Sequence, residues 1–320
     1  MSERPLRATA LGGGHGLHAT LSALRLMTSD LTAVVTVADD GGSSGRIRRE
    51  LGALLPPGDL RMALAALAGT TPQAQQWATL LQHRFGGTGA LAGHPIGNLL
   101  LAGMMEADGD VVAALRRVGD LIGAVGRVLP MSPVPLDLLG EIDRIDPDDP
   151  ARTHPIRGQS SVAATPGRVR SISVLPAGAP ACAEAVDAVR EADLVVLGPG
   201  SWFTSVIPHL LLRELRHALV TTRATVVVVL NLVPQAGETE GFSPEELLGV
   251  LVKHAPDLRI DAVVADTGAV LDARPLRDFT RTLSARLVLS TVATGDNPER
   301  HDPQRLAAAL AAAIDPDRPQ

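Results

Sequence analysis

At 320 residues, 45 % apolar and 20 % charged, the chain has material for one large domain or two small ones and the balance of a soluble globular protein. Its net charge of −6 speaks against a non-specific nucleic-acid binder, which needs a basic face to displace counterions. One cysteine, Cys182, excludes an internal disulfide and a cysteine-cluster metal site, and no apolar run approaches the ~18 residues of a membrane span, so the chain reads as cytoplasmic.

In chain order, "RATALGGG" (7–14) predicts a short strand leading into a helix over 16–27, and "LTAVVTVAD" (31–39) a second strand. The glycines between them resemble a dinucleotide-binding turn, in which Gly12, Gly13 and Gly14 let the backbone approach a pyrophosphate at a helix N-terminus. Leu17 stands where the third fingerprint glycine belongs, and Gly16 adds flexibility one position early. Asp39 lies 23 residues after Gly16 at the end of the second strand, which suits a nucleotide-type site. Three roles stay open for Asp39 and Asp40: a ribose hydrogen bond, a Mg²⁺ ligand, or a general base. "GGSSGRIRRE" then offers Gly41, Gly42, Ser43, Ser44 and Arg46 to phosphate or sugar oxygens, with a solvated mobile loop as the plain alternative.

"PPGDLRMALAALA" (56–68) predicts a helix capped by Asp59. "LAGHPIGNLLLAGMM" (91–105) places His94 just before a helix and Asn98 four residues on, a poor metal set but a plausible pair for a ligand or loop hydrogen bond. From about 120 to 180, short alternating segments rich in Pro, Asp and Arg predict an insertion of antiparallel strands and loops. "ADLVVLGPG" (192–200) is another strand, and its turn carries Gly198, Gly200, Ser201, Thr204 and Ser205 at a helix start. Amides and hydroxyls so placed bind anions, although the turn lacks the lysine of a P-loop and Ser201 also reads simply as an N-cap. Trp202 and Phe203 fit a pocket wall or the core equally well. "TVVVVLNLV" (225–233) ends at Asn231 before a loop with Glu238 and Glu240, read as a lid or a plain surface loop. "FSPEELL" (242–248) is a capping box, strands follow at 260–266 and 286–294, and a helix with a frayed end closes the chain.

Apolar runs of five to eight residues alternating with helices predict an α/β protein with a mostly parallel, Rossmann-like sheet flanked by helices. It is read as one domain over 1–320, interrupted by a small subdomain at about 120–180. No Ser-His-Asp, HExxH or CxxC pattern accompanies the phosphate-friendly turns, so binding is better marked than catalysis.

"GGGHGL", "TVADDGGSSGRIRRE", "LPPGDLRMALAAL", "GHPIGNLLLAG", "GPGSWFTSVIPHLL", "NLVPQAGETEGF" and "ERHDPQRLA" together, in this order, resemble the YvcK proteins of the CofD-like group, known as gluconeogenesis factors or UDP-N-acetylglucosamine-binding proteins. The likeness runs from about residue 8 to the tail. It implies a Rossmann-like fold that binds a nucleotide-diphosphate sugar and serves cell shape, wall-precursor metabolism and growth on gluconeogenic carbon. By motif, it assigns the nucleotide to Gly12–Gly14, Asp39, the Gly41–Ser44 loop, Asn98 and Gly198–Ser201, and sugar-nucleotide binding to Arg300. Departures are His15, where relatives carry a hydroxyl residue, and "RMAL" at Met62 and Ala63 in place of an "RNCL" type. The CofD enzymes transfer a phospholactyl group to a deazaflavin with Mg²⁺, and that activity is the alternative, with an NAD-type binder as a third. The expected ligand is therefore UDP-N-acetylglucosamine; Mg²⁺ and NAD are held open as cofactors, a homodimer is held open too, and any regulatory protein partner is unidentified.

Overall fold

The computed structural model describes residues 4–52, 54–235 and 238–314; the expected frayed tail lies outside them. The first half runs β1 (Ala8–Gly12), α1 (Gly14–Leu24), β2 (Leu31–Val35), α2 (Gly42–Leu51), α3 (Pro57–Leu67), α4 (Pro72–Gln82), α5 (Ile96–Asp108), α6 (Val111–Leu121) and β3 (Arg127–Pro130). An excursion follows through β4 (Asp137–Asp143), β5 (His154–Arg157), α7 (Gln159–Ala164) and β6 (Arg168–Leu175). The second half is α8 (Ala183–Glu191), β7 (Leu194–Leu197), α9 (Pro208–Leu211), α10 (Arg213–Thr221), β8 (Thr225–Val229), α11 (Pro244–His254), β9 (Ala262–Asp266), α12 (Ala273–Thr282), β10 (Arg286–Ser290) and α13 (Pro303–Ile314), with a π-turn at Trp202–Val206 ahead of α9.

Seven strands form one parallel sheet in the order β10-β9-β8-β7-β1-β2-β3. Every residue of β1, β2, β7 and β9 is buried, which is why these segments read as unbroken apolar runs, while the edge strand β10 is largely half-exposed. α1 packs against α3 and α13, and α8 packs against α10. From β1 the chain builds outward through β2 and β3, and from β7 it builds the opposite way through β8, β9 and β10. The turns after β1 and β7 therefore diverge side by side, the topological switch point at which open α/β sheets make their ligand crevice.

The excursion is a three-stranded antiparallel sheet, β5-β4-β6, with a register shift between Glu141 and Ile142. Burial alternates along β4 from Asp137 to Ile142, so one face packs inward and the other is more open. Arg127–Pro130, inside the stretch read as insertion, instead pairs with β2 as the seventh strand of the main sheet. Ser243 makes the expected capping box with Glu246. Asp59 does not cap α3: Pro56 is the N-cap and Asp59 lies within the first turn, directed toward α1.

Candidate functional site

The residues marked in the sequence divide into three sets at the strand ends. The first surrounds a cleft of about 700 Å³ lined by His15, Gly200, Asn231 and Arg300, with Gly12, Gly13 and Gly14 shaping the turn after β1 but not in the lining itself. Gly13 is the N-cap of α1, and a Cβ there would lie 2.4 Å from the Asp59 carboxylate and 2.6 Å from Thr36, while Gly14 turns through φ +56°. Gly16 is not a point of flexibility. A Cβ on it would stand 2.0 Å from the Pro199 carbonyl oxygen, so it is the only residue that lets the turns after β1 and β7 interlock. Asn231 clamps that second turn, its side chain accepting from the Gly200 N–H (2.7 Å) and donating to the Gly200 carbonyl (2.9 Å).

Basic side chains face this cleft. His15, His18, Arg61, Arg84, Arg300 and His301 all line it, against Glu299 as its acid. Arg61 is only 4 % exposed, and burial and then the nearby Arg84 charge hold its guanidinium down to about 10. His18 is likewise pushed below its usual range, by burial first and then by His15 and Arg300. Burial pushes His301 down to about 4, keeping it neutral. Arg61, Arg84 and Arg300 are gathered here, with the Asp59 charge acting on Arg61 and Glu299 in the lining, and three guanidinium groups so placed favour an anion.

The second set lies behind the first, around two carboxylates. Asp39 accepts from the Gly41 N–H (2.9 Å) and from Ser44, and burial raises its carboxyl above the usual range against those donors. Asp59 is raised to about 7, by burial and then by the Asp39 charge, despite a hydrogen bond from the Gly14 N–H. Ser43 and Ser44 are not part of a mobile loop: "GSSG" forms the first turn of α2, and Ser44 Oγ accepts from the Gly58 N–H at 3.1 Å. Ser43 Oγ is 2.7 Å from His94 Nδ1 and accepts from Asn98 Nδ2 at 2.9 Å, while Asn98 Oδ1 accepts from Arg61 Nε at 2.8 Å. His94 thus finds the loop-type partner expected of it.

The third set is spent on the protein itself. Asp40 accepts from the Ser160 N–H (2.8 Å) and holds the start of α7, Gly41 packs against Ser160, and Gly42 borders open space. Arg46 donates to the Ala92 carbonyl (2.8 Å). At the second turn, Ser201 is the N-cap of the π-turn, but Glu238 fills the place anticipated for an anion. Its buried carboxylate accepts from the Phe203 and Thr204 N–H groups (3.0 Å each) and from Ser201 Oγ (2.7 Å); burial nevertheless raises its pKa. Thr204 Oγ1 contacts Ser201 Oγ closely, and Ser205 Oγ lies near Gly13. Gly198 makes its turn at φ +72°, and Trp202 and Phe203 are wholly buried core. In the 231–243 loop, Ala236 and Gly237 lie outside the described residues.

Arg61, Arg84, His18 and His301 were not singled out from sequence. Arg61 had a readable signal: α3 is apolar nearly all round, so a charge within it has to face the interior. Arg84 and His301 carry no such mark. Among the described residues no three or more His, Cys, Asp or Glu side chains are grouped to hold a metal, and no helix is long and apolar enough to cross a membrane.

A doubly wound parallel sheet with a cation-lined strand-end cleft at its switch point defines a Rossmann-like α/β protein. The family model described as 2-phospho-L-lactate transferase CofD matches residues 8–308, and the chain belongs to that family. A Mycobacterium tuberculosis protein named "Putative gluconeogenesis factor" is 55 % identical over 304 residues, covering 94 % of this chain and 88 % of its own length. The "Gluconeogenesis factor" of Halalkalibacterium halodurans is 38 % identical over 243 residues, 76 % of this chain and 72 % of that protein. The crystal structure of a UPF0052 family member from Bacillus halodurans superposes with a TM-score of 0.85 at 30 % identity, covering 97 % of this chain and 100 % of that one.

Proposed function

We propose that the cleft binds a nucleoside-diphosphate sugar, UDP-N-acetylglucosamine, and that the protein acts as a regulator coupling this wall precursor to cell shape and growth on gluconeogenic carbon. The observation that carries the reading is Arg61: a buried guanidinium with no hydrogen-bond partner on its Nη groups among the described residues, within electrostatic reach of Arg84 in a cleft that Arg300 also lines. Two like charges kept together in low dielectric are relieved by a multiply charged oxyanion. A 700 Å³ space suits a ligand of nucleotide-sugar size. The gluconeogenesis-factor names of the relatives support the metabolic side.

Asp39 and Asp59 fit a divalent cation of the magnesium kind, which takes one or two carboxylates and completes its shell with water and phosphate oxygens. Burial and then the Asp39 charge raise the Asp59 carboxyl, and the repulsive part is what such an ion would relieve. That pair also favours the CofD-like transferase as the second reading, since such chemistry uses a metal beside a phosphate. NAD has less support, because Asp39 already serves Gly41 and Ser44.

Titration calorimetry with UDP-N-acetylglucosamine, with and without Mg²⁺, tests the proposal. Saturable binding weakened at least tenfold by Arg61→Met or Arg300→Ala is expected. No heat at millimolar ligand refutes it. Turnover of a guanylyl-activated phospholactate with deazaflavin would install the transferase reading instead, and NAD displacing the sugar nucleotide would install the third.

A further inference from the structure

We propose that Asn98 is a positioning residue, which, with Ser43 and His94 behind it, aims the Arg61 guanidinium into the cleft; it does not itself touch the ligand. The motif likeness places Asn98 among the nucleotide contacts, yet it is 2 % exposed and absent from the cleft lining. Both ends of its amide are spent within the protein, Oδ1 on Arg61 Nε and Nδ2 on Ser43 Oγ.

The geometry fits orientation. α3 carries Arg61 and the first turn of α5 receives it. A Cβ at Gly97 would meet the Arg61 Cδ at 2.9 Å and Cγ at 3.0 Å, so Gly97 opens the slot through which the aliphatic stem passes. One residue on, Asn98 accepts from Nε. With Nε tied, the rotation of the planar fork is set, and both Nη groups are left for a bidentate oxyanion. The amide orientation is fixed because Arg61 Nε can only donate and so requires Oδ1, which leaves Nδ2 to donate to Ser43 Oγ. Ser43 Oγ is also bonded to His94 Nδ1, and burial and then the Arg46 charge hold His94 below its usual pKa. Donors thus run one way from Arg61 to Ser43, through side chains of α3, α5 and α2, and His94 just before α5 holds the far end of the chain. Sub-ångström placement of a charged fork is the kind of organisation that a supporting hydrogen-bond chain supplies.

The proposal rests on the anion-binding reading of the cleft, and its test separates the two. In the ligand-free protein, Nε–H correlations from ¹⁵N-labelled arginine, with the Arg61 signal assigned by its loss in Arg61→Lys, should show a slowly exchanging, downfield Arg61 resonance. Asn98→Ala should abolish that signature and Asn98→Asp, which keeps the acceptor, should retain it. Binding is measured with inorganic pyrophosphate and with UDP-N-acetylglucosamine. Asn98→Ala should weaken both by ~10-fold, as for loss of one charge-assisted bond, yet add less than twofold in an Arg61→Met background. Circular dichroism melts confirm that each variant folds.

An unchanged Arg61 signal in Asn98→Ala, affinities within twofold of wild type, or an equal loss in the Arg61→Met background would each overturn the positioning role. Binding of pyrophosphate without the sugar nucleotide would overturn the ligand assignment and leave the positioning role supported. Binding of neither would overturn both.

Discussion

Replacing Asp59 by Asn isolates the electrostatic cost built into the strand-end site. In the folded chain the Asp59 carboxyl is lifted from 3.8 to about 7, by burial first and then by Asp39. Below pH 3.8 both folded and unfolded chains carry the proton and the shift contributes nothing adverse. Between there and about 7 the unfolded chain releases its proton while the folded chain keeps it, so stability falls as pH rises; above 7 the loss is complete. The full shift corresponds to a ceiling of ~4 kcal/mol, and partial exposure of Asp59 reduces this to roughly 2 kcal/mol after screening. Asn is nearly isosteric and keeps an acceptor for the Gly14 N–H, so the variant escapes the loss. Thermal melts should place Asp59→Asn level with wild type near pH 4 and above it by roughly 2–4 °C at pH 8 for a chain of this size. At pH 8, millimolar Mg²⁺ should raise the wild type toward the variant and leave the variant unmoved. If the gap between the two proteins does not widen from pH 4 to pH 8, the account of Asp59 as a strained carboxylate is wrong.

Three further outcomes follow from the same geometry. Glu238→Ala strands the Phe203 and Thr204 N–H groups and the Ser201 hydroxyl, so chemical denaturation should register a loss of ~2–4 kcal/mol; Glu238→Gln, still an acceptor, should lose less, and equal losses would argue against the hydrogen-bonding account. Gly16→Ala drives a methyl into the Pro199 carbonyl, with backbone on both sides, and should cost ~3 kcal/mol or more, read as depressed melting and soluble yield; a melting temperature within 1 °C of wild type, roughly the scatter of such a measurement, would show that the turns do not interlock. Asp40→Ala removes the acceptor for Ser160 and a like charge beside Asp39. Hydrogen exchange over 158–165 should accelerate while sugar-nucleotide affinity stays within about twofold, and a large affinity loss would return Asp40 to the binding site.

How far the molecule could be read in advance depended on the range of the forces involved. β1, β2, β7, β8 and β9 declared themselves because burial on both faces demands apolar residues at every position. β3 did not, being a four-residue edge strand that opens on an arginine and closes on a proline. The glycine turns were visible as turns, but their occupants were not. Asp59 reaches Gly14 from 45 residues away and Glu238 reaches Ser201 from 37, and no local pattern reports such pairings. Ser43 and Ser44 looked like loop residues because Gly and Ser are poor helix formers, yet side-chain bonds to Asn98, His94 and Gly58 outweigh that weak preference. Arg61 was masked by the habit of placing arginine on a wetted face, although its neighbours in α3 left no such face.

The meeting of Gly16 with Pro199 has a consequence for selectivity. Backbone is packed on backbone there with no side chain between, so the floor of the cleft has no soft part to compress. A guest too bulky by one methyl cannot be accommodated from below. Adjustment falls to the rest of the lining, where Thr294, Asn297 and Arg300 stand on an irregular segment between β10 and α13. The inner surface then acts as a fixed gauge and the outer as the adaptable jaw, so variants that broaden what the cleft accepts belong in 294–303 rather than among the glycines.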